Sequence, residues 1–303
     1  MKEIPLTSAL LATRPLPMPE SGSKEQRGTV LVVGGSGETP GAAILAGVAA
    51  LRAGAGRLRI ATVRSVAVAM AVAIPEARLI GLPETEDGAI DPDRASERVA
   101  MLADGCEAVL VGPGLTTGDG ANALADALLR VCSPTSLVLD AGVIAGLSER
   151  AEVVRACGGR AVITPHAGEM ARLLDIERPA VEADPLAAAR EAAERLGCVV
   201  IMKGAQSRIV TPAGEHWLYE GGGVGLATSG SGDALSGILA GLLARGADPT
   251  TAALWSVFLH GEAGRILADR VGPLGFLARE IAGEVPSLLH RTMPAAETAR
   301  AGS

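Results

Sequence analysis

The run Leu226–Leu239, "LATSGSGDALSGIL", sets one carboxylate behind two glycines at the point where a helical period begins. Leu235, Ile238, Leu239 and Leu242 follow the spacing i, i+3, i+4, i+7, which predicts a helix starting near Gly232 or Asp233 with one buried stripe. The first N–H groups of a helix have no partner within it, and the macrodipole leaves partial positive charge there. Glycines let an anion come close to such a terminus, so the stretch around Gly230, Ser231 and Gly232 is a candidate phosphate cradle. A plain helix cap is the competing reading of Asp233. It leaves Gly230, Gly232 and the preceding "EGGGVGLATS" unexplained.

Two further stretches carry polar groups at the ends of apolar runs. Only Lys2, Lys24 and Lys203 among the 27 basic residues are lysines, and Lys203 closes the strand-like run of "VVIMKGAQS". A snorkelling strand-end cation is one reading; a turn that touches the phosphates of a nucleotide is the other. In "VITPHAGEM", His166 stands at a strand end before a short helix, either as a structural histidine or as a hydrogen-bond partner for a polar substrate. Glu169 then suits the first turn of that helix, where an acid complements the dipole. The run "VLVVGGSGETPGAA" fails the dinucleotide fingerprint GxGxxG because Pro40 takes the place of the last glycine. No GxxxxGK[ST] loop occurs, and His216, His260 and His290 have no metal-ligand spacing, so structural or surface roles are expected for them.

These groups need a scaffold, and the pattern supplies one. "TVLVVGG", "RLRIATV", "ARLIGLP", "AVLVGPG", "LVLDAG", "RAVITPH" and "VVIMKGA" are short apolar strands alternating with helical segments. Such alternation implies right-handed βαβ crossovers and a mainly parallel sheet covered on both faces, an α/β fold. "RIVTPAGEHWLYEG" reads as an antiparallel hairpin near one edge, and two helices at about 233–245 and 250–268 are expected to close the fold. Ligands of open parallel sheets bind beyond the carboxyl ends of the strands. Those ends are Gly34-Gly35-Ser36, Gly112-Pro113-Gly114, Asp140, Thr164-Pro165-His166 and Lys203-Gly204-Ala205.

Composition narrows the function. With 303 residues, 48% hydrophobic and 2% aromatic, the chain must build its core from Ala, Val, Leu and Ile. A net charge of −7 argues against a nucleic-acid partner, and no basic amphipathic stretch suggests a membrane surface. The apolar run "SVAVAMAVAIP" is too short to span a bilayer. Residues 1–27 read as an irregular leader without a signal peptide, 28–290 as a single domain and 291–303 as a flexible tail. Cys106, Cys132, Cys157 and Cys198 form no CxxC pair and read as structural thiols of a cytoplasmic protein.

The ordered set "GGSGETPGAA", "LRAGAG", "VGPGL", "LDAG", "TPHAGE", "KGAQS" and "GLATSGSGDALSGILAGLLARG" resembles the ADP-dependent NAD(P)H-hydrate dehydratases, within the ribokinase-like superfamily, from about Lys24 to Leu289. The resemblance implies a three-layer α/β/α sandwich without a separate lid domain. It implies conversion of the (S)-hydrates NADHX and NADPHX to NADH and NADPH, with ADP as phosphoryl donor and AMP and phosphate as products. Asp233 would then accept the hydroxyl proton, and Gly230, Ser231 and Gly232 would form the anion hole. Lys203, Gly204, Ala205, Gln206, Ser207 and Gly232 would contact the AMP portion. Ala43, Gly114, His166 and Asp233 would face the hydrated dinucleotide, with Ala42 and Gly112 as close alternatives. Mg²⁺ would bridge the ADP phosphates, with no protein ligand assignable. A homo-oligomer, specifically a tetramer, is implied, and the partner epimerase would be a separate chain. Three departures stand out: Gly142 replaces the second acid of the usual Asp-Ala-Asp-Ala, Arg279-Glu280 replaces a small residue plus Asp, and "YEGGGVG" lacks the common Asn. A related kinase of a hydroxymethyl vitamin precursor and a catalytically silent nucleotide-binding protein are the alternatives.

Overall fold

Successive residues of Thr29–Val33 are all buried yet serve two cores: Val30 and Val32 enter one, Leu31 and Val33 the other. Side chains alternate across a strand, so only a sheet covered on both faces explains the pattern. The computed structural model describes residues 3–18, 24, 26–132 and 134–293. Its strands are β1 (Ile4–Pro5), β2 (Thr29–Val33), β3 (Arg57–Val63), β4 (Ala77–Leu82), β5 (Ala108–Val111), β6 (Ser136–Leu139), β7 (Ala161–Ile163), β8 (Val199–Met202), β9 (Ser207–Val210) and β10 (His216–Tyr219). They form one sheet in the order β1-β10-β9-β8-β7-β6-β5-β2-β3-β4. β9 is antiparallel to both neighbours, and the remaining pairs are parallel.

The helices are α1 (Ser8–Ala12), α2 (Pro40–Arg52), α3 (Arg64–Ala73), α4 (Pro92–Ala103), α5 (Asp119–Leu129), α6 (Ala151–Ala156), α7 (Ala167–Leu174), α8 (Arg178–Ala183), α9 (Pro185–Leu196), α10 (Ser231–Ala244), α11 (Pro249–Arg270) and α12 (Ala278–Thr292). α2, α10, α11 and α12 cover one face of the sheet; α4, α5, α7 and α9 cover the other. This is the three-layer α/β/α sandwich expected. The chain runs from β2 outward through β3 to β4 and then returns to β5 on the other side of β2. That reversal opens a crevice at the carboxyl ends of β2 and β5.

Three expectations change. Part of the segment read as an irregular leader is built into the fold: β1 pairs with β10, and Leu6, Leu11 and Leu16 are buried. Trp255 Nε1 donates to the Arg14 carbonyl at 2.8 Å, which ties that segment to α11. A third helix, α12, follows the two expected to close the fold, and buries Ile281, Val285, Leu288 and Leu289 despite Pro286 within it. The cysteines also divide. Cys132 and Cys157, with Cα atoms 5.8 Å apart, are joined in a disulfide, while Cys106 and Cys198 are buried free thiols. Cys132 follows the end of α5 and Cys157 the end of α6, 25 residues apart in sequence. Residues 294–303 of the expected tail lie outside the described residues. Among the described residues no helix is long and apolar enough to cross a membrane.

Candidate active site

α10 begins without a lid on its N–H groups. Its N-cap is Gly230, at φ 87° and ψ −6°, and no side chain caps the helix. A β-carbon at 230 would collide with Leu45 as well as strain the left-handed backbone. Ser231 is partly withdrawn from the expected cradle: its N–H donates to Thr228 O at 3.2 Å. Its buried hydroxyl lies 2.9 Å from His260 Nε2. The N–H groups of Gly232 and Asp233 come next and have no carbonyl within the helix to receive them. Asp233 does not cap its own helix, so the competing reading of that residue falls.

Around Asp233 the carboxyl ends of β6, β7 and β8 deliver charge. Lys203 Nζ lies 3.0 Å from Asp140 Oδ1 and 3.7 Å from Glu169 Oε2. It is also 3.5 Å from the place a β-carbon on Gly232 would occupy. Asp140 is 1% exposed, and its Oδ1 accepts from the Thr164 hydroxyl too. Burial, and then the negative charge of Asp140, push the Asp233 carboxyl up to about 7; Lys203 opposes this and Glu169 adds to it. Burial works to lower the Lys203 pKa, yet Asp140, Glu169 and Asp233 outweigh it, and the ammonium titrates above its ordinary range. A carboxyl titrating near neutrality in a polar cleft suits a proton acceptor.

His166 has a double place. Its Nδ1 accepts from the N–H groups of Gly168 and Glu169 at 2.9 and 3.2 Å, while Glu169 Oε2 accepts from His166 N at 2.8 Å. That capping box closes the start of α7. Burial pulls the His166 pKa down, so the ring is neutral, and an Nδ1 that accepts leaves the proton on Nε2. The imidazole is thus structural, with Nε2 3.4 Å from Glu169 Oε1, although its side chain is 54% exposed.

The β2–β5 crevice gathers the substrate-side candidates. Gly35 N donates to Pro113 O at 2.7 Å, and the Thr39 hydroxyl donates to Gly114 O at 2.9 Å. Gly114 lies against Thr39, Ala42 and Gly35 at the start of α2. Ala43 has no exposed surface, packed as it is beneath Gly35, while its neighbour Ala42 is half-buried. Gly112, at φ 130°, must be glycine because a side chain would run into the Asp140 carbonyl. Gly204, Ala205 and Gln206 are exposed in the turn between β8 and β9, and Ser207 opens β9. Gln206 donates to Glu220 at 3.1 Å.

A cavity of about 290 Å³ adjoins this crevice, lined by Gly35, Ser36, Thr85, Asp87, Thr116 and Asp119 among others. A larger one, about 780 Å³, opens at the amino ends of β5 and β6 beside Glu107, Ser136 and Asp248, away from the charged cluster. The titrating groups converge instead at the carboxyl edge. Among the described residues no group of three or more His, Cys, Asp or Glu is disposed to hold a metal ion.

Asp140, Glu169 and His260 complete the cluster and were missed as site residues, although Asp140 was visible as a strand end. His260 lies on α11, and burial drops its pKa to about 4, so a neutral ring supports the turn before α10. Two of the departures also find places. Gly142 is buried against the Leu115 carbonyl, where a longer side chain has no room, and Glu280 accepts from Leu277 N to close α12.

A three-layer sandwich whose switch-point crevice faces an uncapped, glycine-lined helix start defines the ribokinase-like class of nucleotide-dependent enzymes. The profile of the NAD(P)H-hydrate dehydratases matches residues 30–287, and the chain belongs to that family. It is 50% identical over 289 residues to the ADP-dependent (S)-NAD(P)H-hydrate dehydratase of Xanthomonas campestris pv. campestris, covering 94% of this chain and 96% of that protein. A bifunctional NAD(P)H-hydrate repair enzyme of Moorella thermoacetica is 37% identical over 279 residues, 92% of this chain and 52% of that one. The ADP/ATP-dependent NAD(P)H-hydrate dehydratase of Bacillus subtilis, co-crystallised with ATP/Mg²⁺, superposes with a TM-score of 0.81 at 29% identity, over 96% of this chain and 99% of that one.

Proposed function

We propose that this chain returns (S)-NADHX and (S)-NADPHX to NADH and NADPH, with ADP as phosphoryl donor. The Asp233 carboxylate takes the proton from the ring hydroxyl, whose oxygen then forms a bond to the terminal phosphorus of ADP as the bond to AMP breaks. Phosphate next leaves the ring carbon with the C–O bonding pair, driven by the lone pair of the ring nitrogen. Loss of a proton from the adjacent ring carbon restores the double bond of the reduced nicotinamide. The N–H groups at Gly232 and Asp233 stabilise the transferring phosphoryl, because they already point at the place where its charge develops. Gly114, His166 and the Ala42–Ala43 start of α2 hold the hydrated dinucleotide, and the Lys203–Ser207 turn holds the AMP portion.

The observation that carries this reading is the open start of α10, with Asp233 raised to about 7 and free of any capping bond. The Xanthomonas and Bacillus relatives, by their names, support the substrate and the donor. A magnesium ion would travel on the phosphates of the nucleotide: the described residues offer it no ligand cluster, and Asp140 and Glu169 are engaged with Lys203. The same reading makes the enzyme a cytoplasmic homotetramer that works beside a separately encoded epimerase; a light-scattering mass equal to the 30.5 kDa monomer would remove the tetramer.

The test is direct. Purified protein is incubated with NADHX and Mg²⁺, and ADP or ATP is added in separate arms while absorbance is followed in the reduced-nicotinamide band. NADH is expected to appear with AMP and phosphate in the ADP arm. Silence in both arms, with phosphorylation of a hydroxymethyl substrate by ATP instead, would move the assignment to a related kinase.

A further inference from the structure

We propose that Asp140 is a positioning residue for this reaction: by holding the Lys203 ammonium, it leaves Asp233 an unpaired carboxylate for the substrate hydroxyl. The inference rests on Asp233 being the base.

The geometry is asymmetric in a way that needs a reason. Among the described residues Lys203 makes ion pairs with Asp140 at 3.0 Å and Glu169 at 3.7 Å, and none with Asp233. Its ammonium nevertheless sits beneath the first turn of α10, next to Gly232, one residue from Asp233. A buried lysine moves to the nearest well-placed carboxylate, and a lysine paired with Asp233 would hold that group ionised but with little appetite for a proton. Three features keep Asp140 where it is. The Thr164 hydroxyl donates to the same oxygen that receives Lys203. The Asp140 carbonyl fills the space that Gly112 leaves. Ala141, next in the chain, sits at φ 51°. A non-glycine residue in that region is uncommon, and backbone strain of this kind is retained where the surroundings over-determine it. Glu169 is committed elsewhere as well, since it accepts from His166 N in the α7 capping box.

The charged and titratable groups that bear on Asp233 are Asp140 from the end of β6, Lys203 from the end of β8 and Glu169 from α7. His166 and His260 feel Lys203 from α7 and α11, and both rings are held neutral by burial. Asp140 and Lys203 therefore push Asp233 in opposite directions, which gives an experiment with signed outcomes.

The acid limb of kcat/KM against pH is measured for the wild-type enzyme, Asp140→Asn and Lys203→Met, with an Asp233→Asn control. Asp140→Asn removes a like charge and frees the ammonium toward Asp233, so the limb is expected to move down by about one pH unit or more. Lys203→Met leaves Asp140 uncompensated, so the limb moves up by about one unit. A variant too slow to assay is followed by carbon NMR titration of the Asp233 carboxyl, which reads the same ionisation without turnover. If Asp140→Asn fails to fold, the upward shift in Lys203→Met supports the proposal and its absence overturns it. Limbs that stay in place, or move in the same direction, overturn it too. The control separates the two readings: if the limb survives in Asp233→Asn, the base assignment itself is wrong. If it vanishes there yet does not move in the other two variants, only the role of Asp140 is lost.

Discussion

Two helices of this protein start with the same grammar and end up with opposite chemistry. In both α7 and α10 the second residue is glycine and the third is an acid, Gly168-Glu169 in one and Gly232-Asp233 in the other. At α7 the N-cap His166 has an extended backbone, φ −89° and ψ 175°, and the acid folds back onto its N–H. At α10 the N-cap is Gly230 in the left-handed region, which supplies no capping side chain. One helix closes its orphan donors with its own residues. The other leaves its donors and its carboxylate uncapped. The residue one position outside the helix decides between structure and function.

The largest effect should come from the acid that the open start preserves. Asp233→Asn is expected to cut turnover by about 10²–10⁴-fold, read as NADH formation in the ADP arm of the assay. Normal turnover would erase the distinction between the two helices.

Next comes the residue that makes the start open. Gly230→Ala adds a β-carbon to a left-handed position and into Leu45, so the turn must shift, and a displaced donor costs about 10²-fold in kcat. Unchanged kcat in a folded Gly230→Ala protein would show that the conformation of Gly230 is incidental.

Smaller effects sharpen the α7 side. His166→Ala loses the cap and should lower stability by about 1 kcal/mol. His166→Asn restores a capping side chain and should recover most of that in a thermal melt. If the half-exposed His166 ring binds the dinucleotide, KM for NADHX rises in both variants, so stability and affinity separate.

The smallest effect is a gain. The folded pKa of Asp233, about 7, lies above the unfolded value of 3.8. Folding therefore favours its protonated form, and the cost of ionising it appears as pH rises past 3.8 and is complete above about 7. Asp233→Asn should melt several degrees higher than the wild type at pH 8 and no higher at pH 4. An advantage that is the same at both values would detach the stabilisation from this carboxyl.

How much of this was legible along the chain follows the range of the forces involved. The alternation of Val30, Leu31, Val32 and Val33 shows a doubly covered strand, and the period of Leu235, Ile238, Leu239 and Leu242 shows α10, because both record local geometry repeated at each residue. The period of Ile281, Val285 and Leu288 was equally local, but Pro286 masks it as a helix. Ala43 and Ala42 are neighbours that face different ways, and which one is exposed depends on Gly35, contributed by the loop after β2.

By itself, the sequence determined that a mainly parallel sheet would present its carboxyl edge and that a glycine-lined helix start with an acid behind it would lie there. These are properties of periodicity and of residue type. Only the tertiary structure decided that Asp233 would stay free of the cap, that Lys203 would lean toward Asp140 instead, and that His260 would stand behind Ser231. Each of those depends on charges and hydrogen-bonding groups from separate strands and helices meeting out of water. There a few ångströms set which acid is paired and which is left to react.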